Sequence, residues 1–329
     1  MMKMLLDIRI GEPEIKISYQ DKIMLVGSCF TEHIGDALID LKFDAIQNPN
    51  GIVFDPSSVA SSLTSYIENR HYTADDLFYL NELWQSWQHH SRYSGVDREK
   101  VLEEINHSQQ RAHQFLKSAK WLIITLGTAY SYRLNDGVVP VANCHRAPQG
   151  WFTKHLMSIE EIIVSLDTCL YRLFQFNNHL NIIFTVSPVR HIRDGIVNNN
   201  RSKARLLEAV HHLVNKFGKL HYFPSYELVI DVLRDYRFYD IDLVHPNFSA
   251  TSYVIEEFMK HYITEESVAL SKEVQQINIA RKHKPFQPTT EAHKKFLQLH
   301  AEKTKALMKT YPFLKLQDEL EFFSASGHP

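Results

Sequence analysis

Apolar residues gather in five short runs, KIMLV at 22–26, KFDAI at 42–46, KWLIITL at 120–126, NIIFTV at 181–186 and KLHYF at 219–223. Between these runs the apolar positions recur at helical spacing. Strands that alternate in this way with helices predict a mostly parallel, five-stranded sheet covered on both faces, a three-layer α/β/α sandwich. Ahead of them, Leu6, Ile8 and Ile10, then Ile15, Ile17 and Tyr19, alternate around Gly11, Glu12 and Pro13, which predicts a hairpin.

The helical segments carry their own start and stop signals. Thr31 to Leu41 places Ile34, Ala37, Leu38 and Leu41 on one face, and Asp55 followed by Pro56 offers an N-cap with a first-turn proline. Ser158 and Glu161 form a capping-box pattern, and a periodic stretch from Asn200 to Phe217 stops at Gly218. Residues 71–119 make a long insertion between the second and third runs, with aromatic residues Trp84, Trp87 and Tyr93 beside His89 and His90. It is expected either to form a small core of its own or to serve as a lid over the ligand edge of the sheet. Residues 130–142 predict a hairpin turning at Asn135, Asp136 and Gly137. The division is read as residues 1–265 for the main domain and 266–329 for a helical appendage. In the appendage a Lys-rich helix over 290–309 turns Phe296, Leu299 and Leu307 to one side, for packing or for homo-oligomer formation.

Composition narrows the choice of partners. A formal charge of −2 over 329 residues gives no basic footprint for nucleic acid and none for an anionic membrane. The N-terminus has only Met4 to Leu6 as an uninterrupted apolar stretch, too short for a signal peptide. Cys29, Cys144 and Cys169 are three cysteines without a CxxC pair, so neither a disulfide framework nor a structural zinc is expected and the cytoplasm is the expected compartment. Nineteen histidines show no HExxH spacing, and neither a GxGxxG nor a P-loop occurs, so no metal and no cofactor is expected.

Candidate chemistry lies just after the predicted strands, where loops of a parallel sheet converge. Gly27 and Ser28 follow the first, Asn48 to Gly51 the second, Gly127 and Thr128 the third, and Ser187 to His191 the fourth. The last strand leads to Asp242, Leu243, Val244 and His245. A serine at a strand-to-helix turn, with its own N–H at a helix N-terminus, becomes a nucleophile only with a base. In DLVHP the aspartate precedes the histidine by three residues, so one turn lets the carboxylate set the imidazole tautomer. Cys29 is the rival nucleophile, more simply read as a buried thiol.

GSCF at 27–30, NPNGI at 48–52, TLGTAYSY at 125–132, VANCHRAP at 141–148, TVSPVRH at 185–191, SKARLL at 202–207, YFPSYE at 222–227, LRDYRFY at 233–239 and DLVHP at 242–246 together resemble the GSCFA family. That family is similar in its blocks to the SGNH or GDSL-like hydrolases, and the resemblance covers roughly residues 20–265. It implies an SGNH-like sandwich with flavodoxin-like strand order, Ser28 as nucleophile, Gly51 as an oxyanion-hole amide beside that of Ser28, and Asp242 with His245 as the DxxH pair. The third block departs from the superfamily pattern: Gly127, Thr128, Ala129 and Tyr130 stand where Gly-x-Asn-Asp is usual. Asn143 is a candidate replacement for the missing donor, or with His145 it closes a turn. Substrate-binding candidates are Asn50, Thr128, His145, Arg190 and His191; the last two would hold a carboxylate or phosphate, or pair with Asp235 or Asp242.

The expected activity is hydrolysis of an ester-linked acyl group, an acetyl on a carbohydrate among the candidates, with a small-molecule or carbohydrate ester as partner. Acyl transfer to a sugar hydroxyl and a binding protein with weak catalysis are the alternatives.

Overall fold

A computed structural model describes residues 6–135, 137 and 140–325. Among the described residues nine strands follow in chain order: β1 (Ile23–Gly27), β2 (Ala45–Gln47), β3 (Phe78–Leu80), β4 (Leu83–Gln85), β5 (Trp121–Leu126), β6 (Tyr130–Leu134), β7 (Phe152–Leu156), β8 (Asn181–Val186) and β9 (Leu220–Tyr222). The helices are α1 (Cys29–Asp40), α2 (Pro56–Glu68), α3 (Arg98–Ser118), α4 (Ile159–Phe176), α5 (Gly195–Lys216), α6 (Ser225–Glu227, continued as a π-turn over Leu228–Leu233), α7 (Phe248–Tyr262), α8 (Glu265–Lys282), α9 (Glu291–Thr310) and α10 (Gln317–Ala325).

The five predicted runs form one all-parallel sheet in the order β2-β1-β5-β8-β9, with β1 and β5 in register from Ile23 opposite Trp121 to Gly27 opposite Thr125. Counted among themselves these strands run 2-1-3-4-5, the flavodoxin-like order. Their alternation sorts the side chains. Ile23, Leu25, Trp121, Ile123 and Ile183 face one layer with Phe30, Ile34 and Leu38 of α1 and Val254 and Phe258 of α7. Met24, Val26, Leu122, Ile124 and Phe184 face the other, with Val59 and Leu63 of α2, Leu116 of α3, Leu166 of α4 and Leu206 of α5.

The caps at Asp55 and Ser158 fall where the sequence marks them, and Asp97 adds a third. Asp55 accepts from Ser58 N–H at the start of α2, Asp97 caps α3, and Ser158 and Glu161 close the capping box of α4. The second run sits later than predicted, because Lys42 is left-handed (φ 67°) and carries Phe43 into the core before β2 begins.

Two hairpins differ from expectation. Residues 6–19 form no strand pair; Ile17 bridges Ile263 instead, donating to Tyr262 O at 2.8 Å, while Ile10, Ile17 and Tyr19 are buried against the first helical layer. The alternation there reflects one-sided burial of an extended segment rather than pairing. β6 turns at Asn135, as predicted, but its main partner is β7, with only Arg133 bridging Pro140 on the other side; Asp136 lies outside the described residues. The C-terminal helices also join the first layer. Leu297, Ala301, Thr304 and Leu307 are the buried stripe of α9, whereas Leu299, expected on that side, is 49% exposed.

The insertion has its own small core of Tyr72, Leu77, Val101 and Ile105, with Trp84 and Tyr93 against it. His89 is fully buried between the rings of Tyr72 (4.8 Å) and Tyr93 (5.6 Å), and burial drives its pKa down to about 3. In the unfolded chain a histidine takes its proton near pH ~6.5. Between that pH and about 3 the unfolded state therefore binds one proton more at this position, and stability is lost as the pH falls through that window. His89→Phe is expected to flatten the dependence of the urea midpoint on pH below 6.5 (an ordinary histidine value) by up to one proton, about a tenfold smaller change in the folding constant per pH unit. An unchanged slope would show that the folded protein accommodates the proton.

Candidate active site

From β1 the chain runs outward to β2 and then crosses to β5 on the other flank of β1, so the carboxyl ends of β1 and β5 open the crevice where open α/β sheets bind ligands. Gly27 and Ser28 end β1 there. Gly27 has φ +147°, and a side chain on it would bring a Cβ to 2.2 Å from Thr125 O. Only glycine lets the two strand ends close to this distance. The turn is then pinned from three sides: Gly27 N–H donates to Asn48 Oδ1 (2.9 Å), Ser28 N–H to Thr125 O (3.0 Å), and Val53 N–H to Gly27 O (3.0 Å).

Ser28 is the N-cap of α1 (φ −68°, ψ 174°), yet its side chain makes no capping bond. The hydroxyl is buried and has no hydrogen-bond partner among the described residues. A serine at this position normally satisfies a helix N–H, and leaving its oxygen unpaired costs on the order of 1 kcal/mol or more. Cys29 beside it is held as a thiol, its pKa raised by burial.

Asp242 and His245 form a ready-made couple at the rim. Leu243 is left-handed (φ 58°), which folds the loop so that Asp242 Oδ1 accepts the N–H groups of Val244 (2.9 Å) and His245 (3.0 Å). Oδ2 meets His245 Nδ1 at 2.6 Å. The histidine bond first, then the two amides, hold the Asp242 carboxyl down at about 2, so it is an anion throughout the range in which imidazoles titrate. With Nδ1 turned to the carboxylate, Nε2 is the nitrogen left for a proton acceptor role. Ser28 Oγ and His245 share no hydrogen bond in this structure.

Arg190 braces this loop. Its guanidinium donates to Leu243 O at 3.0 Å and lies 4.1 Å over the Tyr239 ring, and its N–H donates to Val244 O. Asp235, one of the two carboxylates expected to pair with it, pairs with Arg237 instead.

The predicted oxyanion hole is not assembled. Ser28 N–H is committed to Thr125 O, and Gly51 N–H donates to Asn48 O at 2.7 Å. Asn143 closes a turn, its Oδ1 accepting from His145 N–H at 2.9 Å and its own N–H donating to Trp87 O. His145 is buried with Nε2 on Ser86 O (2.8 Å), so these two residues latch the insertion to the loop after β6. Asn50 points into α2, its N–H on Tyr66 Oη and Nδ2 on Ser62 Oγ, and Thr128 pairs with Ser202 Oγ of α5. The insertion does reach the ligand end of the sheet: His90 N–H donates to Asn50 O, and a Cβ on Gly51 (φ +81°) would fall 2.1 Å from His90 Cβ.

His191 and Ser28 both border Gly127. A Cβ added to Gly127 would lie 3.2 Å from Ser28 Cβ, 3.3 Å from the Phe54 ring and 3.4 Å from His191 Nε2. Gly127 is therefore the floor of a narrow slot with Ser28, Phe54 and His191 around it. His191 is held by its N–H on Asn199 Oδ1 (2.9 Å) and by edge-on contact with Phe54 (5.7 Å). Burial first, and the nearby Lys203 charge second, push its pKa down to about 4, so the ring is neutral at physiological pH.

Lys203 was not singled out by sequence reasoning. It is fully buried in α5, with Nζ 2.6 Å from Gly127 O and 2.5 Å from Ser187 O. Desolvation lowers its pKa to about 7, against which the two carbonyls favour the charged form. The available signal was its register: 199, 203, 206, 210 and 213 share the buried stripe of α5, and a lysine on such a stripe needs internal partners.

Residues 22–258 match the GSCFA family, and residues 274–326 match the GSCFA domain protein, C-terminal domain. The chain belongs to the GSCFA family. No match to a curated protein was found. Among solved structures, this GSCFA chain aligns with a carbohydrate esterase family 3 protein from Talaromyces cellulolyticus (TM-score 0.37, 8% identity, 77% of this chain and 99% of the other). It also aligns with the acetyl xylan esterase Est2A from the rumen bacterium Butyrivibrio proteoclasticus (TM-score 0.36, 12% identity, 77% and 65%). Among the described residues of the GSCFA chain no group of His, Cys, Asp and Glu could hold a metal ion, and no helix is long and apolar enough to cross a membrane.

Filling the slot tests its importance. Gly127→Ala adds a methyl group within 3.4 Å of Ser28, Phe54 and His191, so any activity that uses Ser28 is expected to fall at least about tenfold while the melting temperature drops by only a few degrees. Wild-type turnover in this variant, measured with any substrate the protein accepts, would place the reactive groups elsewhere.

Proposed function

We propose that this protein is a serine esterase that hydrolyses a small acyl ester, with Ser28, His245 and Asp242 as its triad. The observation that carries the reading is the Ser28 hydroxyl: buried, at a helix N-terminus, at the switch point of the sheet, and bound to nothing. A structural N-cap serine would have used that oxygen.

The reading implies the following steps. Ser28 Oγ attacks the acyl carbon while its proton passes to His245 Nε2, a hydrogen bond that must form in the substrate complex. Asp242, already bonded to Nδ1 and anionic, stabilises the imidazolium. Collapse of the tetrahedral intermediate expels the alcohol, which takes the proton from His245, and water then releases the acid by the same steps in reverse.

Labelling with a fluorophosphonate probe is expected to modify Ser28 in the wild type and to be absent in Ser28→Ala. With p-nitrophenyl acetate and a panel of acetylated sugars, Ser28→Ala and His245→Ala should each lose several orders of magnitude in turnover, and the double variant should be scarcely worse, since the two act as one unit. Cys29→Ala should stay within about tenfold of wild type, its effect falling on packing. Activity that survives Ser28→Ala but not Cys29→Ala would transfer the nucleophile to the thiol.

A further inference from the structure

An acyl transfer through Ser28 develops a negative charge on the former carbonyl oxygen, and some donor must meet it. The amides of Ser28 and Gly51 already donate to Thr125 O and Asn48 O. Ala129, standing in the third motif where an asparagine would reach in, is fully buried in the second helical layer, and its N–H donates to Ser202 Oγ at 2.7 Å. Asn143 Oδ1 accepts the His145 N–H and its own N–H donates to Trp87 O, which ties this residue to the latch between the insertion and the loop after β6. What does stand beside Ser28 is an imidazole nitrogen: His191 Nε2 and Ser28 Cβ lie 3.4 and 3.2 Å from one and the same point above Gly127.

We propose that His191 is the side-chain donor to the oxyanion, through Nε2–H, and that it takes the place of the asparagine missing from the third motif. The inference rests on the reading of Ser28 as nucleophile.

The surroundings of the two histidines divide the labour between them. His245 has a carboxylate on Nδ1, which favours its protonation and suits a base. His191 faces the opposite influence, burial and the Lys203 ammonium, which keep its ring neutral. A neutral imidazole is a poor base at low pKa but a sound hydrogen-bond donor, and it adds no fixed charge to the slot that a ground-state ester must enter. Its placement is rigid as well. Asn199 Oδ1 holds the His191 N–H, Phe54 supports the ring edge, and Lys203 Nζ ties Ser187 O, four residues before the histidine, to Gly127 O beneath the serine.

The test compares wild type, His191→Ala, His191→Gln and Ser28→Ala of the full chain with p-nitrophenyl acetate. It also measures inhibition by phenylboronic acid, which forms a tetrahedral adduct with a serine. Losing one oxyanion donor typically costs about a hundredfold to a thousandfold in kcat. His191→Ala is expected to show such a loss with KM within about threefold, and to weaken the boronate in parallel with kcat. His191→Gln, which keeps an N–H at similar reach, should recover at least about tenfold over His191→Ala and keep the wild-type pH midpoint of kcat/KM, because the base is His245. Thermal melting separates these effects from misfolding, and recovery by glutamine is a readout that loss of packing alone would not produce.

A kcat for His191→Ala within threefold of wild type overturns the proposal, as does a glutamine variant no better than alanine. A glutamine variant whose acid limb has vanished overturns it too, by making His191 the base. If Ser28→Ala retains wild-type activity, the nucleophile itself fails and the donor with it. If Ser28→Ala is dead while His191→Ala is normal, the donor alone fails and the esterase reading stands.

Discussion

One buried ammonium holds the working end of this molecule together. Lys203 Nζ bridges the carbonyls that end β5 and the segment after β8, two neighbouring strands whose following loops carry Gly127 and His191. Taking a lysine out of water costs several kcal/mol before its partners are counted, which is the force that lowers its pKa to about 7. Such a residue persists when its hydrogen bonds position something. Here they fix the distance between the floor under Ser28 and the loop that brings His191 over it. Burial lowers the pKa of His191, and the same charge adds to that push, so the group that places this neighbour also helps to keep it neutral.

Around that fixed centre the parts differ in rigidity. The Ser28 turn is clamped by Asn48, Thr125 and Val53, whereas the Asp242–His245 loop sits exposed at the rim and depends on Arg190, its two tyrosine rings and a left-handed Leu243. On the esterase reading proposed above, the nucleophile stands in a clamped turn and the base on an exposed surface loop.

The sheet was legible in the sequence because strands buried on both faces read as unbroken apolar runs, and the caps at Asp55 and Ser158 were legible because their chemistry is local. Ser28, Asp242 and His245 stood out because parallel sheets put function after their strands. What escaped was set by distant partners. The amides of Ser28 and Gly51 are engaged through strand register and turn closure, neither of which is visible residue by residue. β6 found its partner beyond a loop rather than across its own turn, and the alternation at 6–19 has the same signature whether a segment pairs or lies against helices. His191 was marked by its place after a strand, but its nearness to Ser28 over Gly127 is a tertiary fact.

The packing of the two chain ends bears on how the protein is made. The layer that covers α1 joins Ile17 and Tyr19 to Leu316 and Phe323, and Lys42, just past the end of α1, pairs at 2.9 Å with the buried Glu319 of α10. A ribosome releases the chain in order, so the opposite layer, whose last members are Leu220, Tyr222 and Tyr226, can pack while synthesis continues. The face beneath the helix that Ser28 opens must wait, its apolar residues uncovered, until Leu316 and Phe323 have emerged. Contacts this far apart in sequence are slow to close, and in that interval the early half of the chain is the part most exposed to chaperones and to aggregation.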